Sequence, residues 1–240
     1  MKTTNMLAAA AALLISVSAS AQTVDEIVDK HIAAMGGEDK LKTVTSLITE
    51  RSLSVQGMEI PTVMTIVVGK SLRSESTIMG NAMVQVVDGG GSTGWSIKPA
   101  MMQGTGEPED MPADQIKQQV GQLDPFGPLH NYKDKGNKVE LVGKEKVDGK
   151  DAYHMKVTTK EGNTIDEFLD ANTYLVSKVK SVMGGQEGEI AFSDYKDVDG
   201  IKFANTMEIA NPQMGTLTMT TTKTQVNAKV DESIFKKPAK

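Results

Sequence analysis

From residue 43 to residue 226 the chain alternates apolar and polar positions with a period of two. Short turns interrupt the alternation. The stretches 43–56, 59–68, 72–79 and 82–87 read as strands, and the pattern resumes at 138–147, 152–159, 164–169, 174–183, 189–195, 201–210 and 216–226. Between them stand Gly57, Gly69-Lys70, Gly80-Asn81, Asp148-Gly149, Glu161-Gly162-Asn163, Gly184-Gly185 and Asp199-Gly200. Asp-Gly and Gly-Asn supply the positive φ that hairpin turns need. Connections this short require antiparallel neighbours. Ahead of the strands, Thr23-Val24-Asp25-Glu26 has the spacing of a capping box. Val24, Ile27, Val28 and Met35 continue one apolar helical face, Gly36-Gly37 end it, and 38–42 add one more turn. The pattern predicts a mainly β chain, one continuous antiparallel sheet after an N-terminal helix.

The segment 84–132 departs from this rhythm. A strand at 84–87 breaks at Asp88-Gly89-Gly90-Gly91 and resumes at Gly94-Trp95-Ser96-Ile97-Lys98. A Met-rich loop with Pro99, Pro108 and Pro112 follows. Next, Ile116, Val120 and Leu123 stand at i, i+4 and i+7, the apolar face of a short helix that Pro112 opens. Lys117, Gln118, Gln119 and Gln122 fill the opposite face. Asp124-Pro125-Phe126-Gly127-Pro128-Leu129 closes the segment. A short amphipathic helix between two loops, set among long strands, reads as a lid over a sheet.

The strand at 60–68 has Val63 and Val67 on one side and Met64, Ile66 and Val68 on the other. A strand apolar on both faces needs cover on both. The segments 201–209 and 216–224 instead keep one polar face. The 15 methionines suit a cavity that adapts to shape, or an irregular core, and five of them (Met79, Met83, Met101, Met102 and Met111) gather around the Gly-rich turn and the lid.

Lys2, an apolar run from Met6 to Ile15 and Ala19-Ser20-Ala21 form a leader that is expected to be cleaved after Ala21, placing the protein in the periplasm. Residues 1–21 are then a signal peptide and 22–240 a single domain. Without cysteine there is neither a disulfide nor a site for acylation at the cleavage point. Loss of Lys2 moves the formal net charge from −5 to −6. An acidic chain without a basic run argues against nucleic acid. A monomer is expected.

Motifs for chemistry are sparse. Gly90-Gly91-Ser92-Thr93-Gly94 matches G-x-S-x-G, yet a strand follows where a hydrolase has a helix. His31, His130 and His154 show no zinc spacing. Asp194, Asp197 and Asp199 before Gly200 depart from a calcium loop and read as a turn. Glu107, Glu109, Asp110 and Asp114 suit the positive end of the lid helix. Trp95 is either a core aromatic or part of a cavity wall. No catalytic residue, metal or cofactor is expected.

The order of elements, with Asp88-Gly89, Gly94-Trp95 and Pro99 before the lid and Val230-Asp231-Glu232-Ser233-Ile234-Phe235 with Pro238 at the end, resembles the periplasmic LolA/LolB-like lipoprotein carriers, including outer-membrane lipoprotein-sorting proteins. The resemblance implies a curved antiparallel open half-barrel of about 11 strands with an N-terminal helix and a helical lid. It also implies an apolar cavity for the acyl chains of lipoproteins or lipids, and transfer partners at the inner and outer membranes. The residues expected to line cavity and lid are Met64, Ile66, Val68, Met79, Val84, Val86, Trp95, Ile97, Met101, Met102, Ile116, Val120, Leu123 and Phe126. The carriers tie an early strand to the lid through an Arg before a Pro. The matching place here is Lys70-Ser71, with Arg73 nearby, so either Lys70 or Arg73 is the expected latch, and Lys lacks the planar fork of Arg. The alternative is a cell-envelope interaction module with a filled interior.

Overall fold

The computed structural model describes residues 22–183, 186–211 and 214–239; the expected leader at 1–21 and the turn at Gly184-Gly185 lie outside them. The capping box forms as its spacing predicts. The Thr23 hydroxyl accepts from the Glu26 N–H, and the Glu26 carboxylate accepts from the Thr23 N–H. It opens helix α1 (Val24–Met35), which buries Ile27, Val28, His31, Ile32 and Met35. Gly36, at φ 135°, stops α1, and α2 (Glu38–Leu41) follows.

The chain then enters β1 (Ser46–Val55), β2 (Met58–Val67), β3 (Ser71–Ile78), β4 (Asn81–Asp88), β5 (Thr93–Ile97) and the two-residue β6 (Glu109–Asp110). After the lid come β7 (Lys138–Val147), β8 (Lys150–Thr158), β9 (Thr164–Asp170), β10 (Val176–Met183), β11 (Gln186–Val198), β12 (Ile201–Asn211) and β13 (Gly215–Val226). All belong to one curved sheet in the order β6-β5-β4-β3-β2-β1-β13-β12-β11-β10-β9-β8-β7, every pair antiparallel. About eleven strands were expected and thirteen stand among the described residues; β6 is too short to show an alternation. Two meanders meet where β1 pairs with β13. The sheet stays open, with β6 and β7 as its edges.

The segment joining those two edges crosses the concave face. It contains α3 (Ala113–Gln119) and a 3-10 turn at Val120–Leu123. Ile116 and Leu123 bury against Leu47, Ile66, Leu72 and Val87, with Met64, Val68 and Val120 partly buried beside them. Over the other half of the concave face, α1 packs with Phe126 and Leu129 on Met155, Val157, Leu169 and Ile201. The convex face carries its own cluster. Val84, Val86 and Trp95 lie under Phe235 of the C-terminal 3-10 turn Glu232–Phe235, and the Trp95 indole N–H donates to the Phe235 carbonyl at 2.8 Å.

A Cβ at Gly36 would stand 2.5 Å from the Gly200 carbonyl oxygen, at a φ that L side chains avoid. Gly36→Ala is therefore expected to cost about 1–3 kcal/mol, which a thermal melt would register as a midpoint lowered by several degrees.

Candidate functional site

A cavity of about 230 Å³ lies where the two covers leave the concave face bare. Its floor is β1 and β9–β13. Its roof is His31 and Met35 of α1 together with Pro125, Phe126 and Gly127. Val176, Val179, Phe192, Phe203 and Met207 give it apolar walls. Period-two alternation explains the choice of residues, because Phe192 and Met207 are direct cross-strand partners on one face.

Polar side chains interrupt these walls. Glu167 is buried at 5% exposure, and burial pushes its carboxyl up to about 7, with Lys135 pulling the other way. Arg51 is half-buried, and the loss of water around it lowers its pKa. Its Nε has no hydrogen-bond partner among the described residues, and neither have the hydroxyls of Thr49 and Thr221. Tyr195 donates to the Val176 carbonyl at 2.8 Å, and burial raises its phenol well above the usual range. His31 Nδ1 lies 2.8 Å from the Tyr174 carbonyl oxygen; burial lowers its pKa, which favours the neutral ring.

The roof loop is held by a few polar ties. The Gly69 N–H donates to the Leu123 carbonyl at 3.0 Å. Asp124 accepts from the Phe126 N–H and stands 2.5 Å from Lys135 Nζ and 3.3 Å from His130 Nδ1. Burial alone would raise the Asp124 carboxyl, but hydrogen bonds from His130 and Lys135 outweigh it and hold the group below its ordinary value. Lys135 also donates to the Gly127 carbonyl at 2.8 Å.

The expected lining residues separate into four groups. Met64, Ile66, Val68, Ile116, Val120 and Leu123 come together, and they fill the space under the lid with one another. Val84, Val86, Trp95 and Ile97 lie on the convex face under the C-terminal turn, because alternation along β4 and β5 points them away from the lid. Met79, Met101 and Met102 are exposed, at 69%, 52% and 47%. Phe126 alone of the fourteen lines the cavity. The two residues expected as latch both reach the C-terminal turn. Lys70 pairs with Glu232 at 2.7 Å, and Arg73 donates to the Ile234 carbonyl at 3.1 Å while pairing with Glu75. Both side chains hold the C-terminal turn on the convex face, and the roof is tied by Asp124, Lys135 and the Gly69 N–H. Asp124-Pro125, whose carboxylate caps the N–H two residues on, was the available signal.

The Ser92 hydroxyl donates to the Gly89 carbonyl at 2.7 Å, closing its own turn. Asp197 likewise accepts from the Gly200 N–H. Among the described residues no group of three or more His, Cys, Asp or Glu is placed to hold a metal ion, and no helix is long and apolar enough to cross a membrane.

Glu167 sets a pH dependence. A carboxyl raised from 4.5 to about 7 binds its proton more tightly in the folded state. The stability this gives is complete below pH 4.5 and is lost as pH rises through 7, a change of about 3 kcal/mol at most. Glu167→Gln is expected to flatten that decline, as measured by urea midpoints from about pH 5 to about pH 8.

No family model and no curated protein matches the sequence. Solved structures do match. A DUF1329 family protein from Desulfovibrio piger aligns at TM-score 0.59 and 16% identity, over 89% of this chain and 97% of that one. A Vibrio parahaemolyticus domain described as an outer membrane lipoprotein-sorting protein gives 0.57 and 17%, over 88% and 94%. A LolA superfamily protein from Nitrosomonas europaea gives 0.59 and 11%, over 90% and 99%. With its open, curved antiparallel sheet, its N-terminal helix and its helical cover, the chain has the LolA-like fold.

Proposed function

We propose that this protein is a periplasmic carrier that shelters the acyl chain of a lipoprotein or lipid in the cavity between α1 and the 125–127 roof, for transfer towards the outer membrane. The cavity is the observation that carries this reading: apolar walls under a roof held by a few polar ties. The expected leader at 1–21 supports export. The sorting role in the description of the Vibrio parahaemolyticus domain is consistent with it.

The energetics suit a carrier. Each acyl CH₂ removed from water contributes about 0.8 kcal/mol, so fourteen are worth roughly 11 kcal/mol. A ligand held this strongly leaves slowly unless its cover can lift. The present volume of about 230 Å³ falls below the roughly 300–1,000 Å³ of most ligand pockets. A full-length tail therefore requires the roof loop to rise from the sheet. Phe126, packed against His130 and Phe203, is the side chain that must give way. A filled-interior interaction module fits the cavity less well.

Native mass spectrometry of protein taken from the periplasm is expected to show bound lipid, and the stripped protein to take up a fluorescent acyl probe. Met207→Trp, which fills the cavity from its floor, is expected to reduce uptake at least tenfold with the fold retained by circular dichroism. Absence of lipid together with absence of uptake by the wild type refutes the carrier. Asp124→Ala, which loosens the roof, is expected to speed probe release in a stopped-flow chase.

A further inference from the structure

The cavity contains a cationic site that no described residue satisfies. Arg51 lines it, and no ion pair or hydrogen bond to its guanidinium is present among the described residues. The nearest acidic member of the cavity, Glu167, sits on β9. It is separated from β1 by five strand spacings of about 4.8 Å each along the curved sheet, and the two do not pair. The Arg51 side chain is half-buried with its Nε enclosed and no counter-charge beside it, and an apolar side chain of similar size would cost less to enclose there. The hydroxyls beside it are orphaned as well. Thr49 is two residues before Arg51 on the same face of β1, and Thr221 is its direct partner on β13; both are buried with no partner for their Oγ1 atoms.

The local backbone is shaped to make this group. The β1–β13 register shifts between Glu50 and Arg51, so that Lys223 faces Glu50, Thr221 faces Arg51, and Thr222 is left over. Thr222 turns its hydroxyl to the Glu50 carbonyl instead. Bulges of this kind re-aim side chains next to binding sites. Here the shift sets Thr221 opposite Arg51. Two hydroxyl donors and a forked guanidinium on one patch match the geometry of a carboxylate, which accepts bidentate hydrogen bonds from Arg.

We propose that this patch receives the carboxylate of a single-chain fatty acid, with Arg51, Thr49 and Thr221 holding the head and the tail running over Met207 and Phe192 towards Val179. The inference rests on the carrier reading and narrows its ligand class. A single tail asks for the smaller rise of the roof, since the present volume of about 230 Å³ already falls short of one full-length chain. An anion follows from the sign of the unpaired charge.

The test is calorimetric titration of the delipidated full protein with dodecanoate, dodecanol and a short-chain phosphatidylglycerol, below pH 7, where Glu167 is largely protonated. Wild type is expected to bind dodecanoate at least tenfold more tightly than dodecanol, because a hydrogen bond to a charged group is worth about that factor or more. Arg51→Met is expected to erase the preference while retaining dodecanol binding. It is also expected to raise the melting temperature of the ligand-free protein, the opposite of what a structural arginine would show. Arg51→Lys is expected to restore part of the preference. Equal binding of dodecanoate and dodecanol by wild type overturns the carboxylate site and leaves the carrier standing. So does a preference that survives Arg51→Met. Tighter binding of phosphatidylglycerol overturns the single-chain assignment. No binding of any of the three overturns the carrier reading with it.

Discussion

The fold depends on covering an apolar concave face that is wider than any one element can hide. Thirteen strands in a single antiparallel sheet present that face continuously, and apolar surface left in water costs about 25 cal/mol per Å². α1 covers one part with Ile27, Ile32 and Met35, and the lid covers another with Ile116 and Leu123. They do not meet over the whole surface. The cavity is the remainder, bounded by α1 on one side and by the Phe126 loop on the other. The site is thus a product of the architecture: two covers on one curved floor leave a gap that the side chains between them decorate.

The convex face obeys the same rule on a smaller scale. Val84, Val86 and Trp95 would be bare without the C-terminal turn, and that turn is fixed through Trp95, Arg73 and Lys70. The last residues of the chain therefore stabilise the first meander, on the side remote from the cavity.

Much of the architecture was legible because it is local. The capping box at Thr23, the stop at Gly36, the hairpin turns among the described residues and the Ile116/Leu123 stripe are each fixed within a few residues, and each forms as its spacing predicts. The face that a given strand turns to the lid is a non-local matter. It is set by register with neighbours far away in sequence, and a shift of one residue reverses it. That is why Val84, Val86, Trp95 and Ile97 were expected inside and stand outside. It is also why Lys70 and Arg73 hold the C-terminal turn. The polar members of the cavity were invisible for the same reason. Thr49, Arg51 and Thr221 look like ordinary solvent-facing strand positions, and only the pairing of the first strand with the last, 170 residues apart (Arg51 with Thr221), brings them under a roof.

One feature of the topology links the shape of the sheet to its cover. β6 and β7 are the two free margins of the gutter, yet they are consecutive in the chain, joined by the lid segment itself. The cover is therefore also a tether between the margins. The cover is thus anchored at both rims of the sheet, so a guest that parts the rims also moves the two ends of the segment that lies over it.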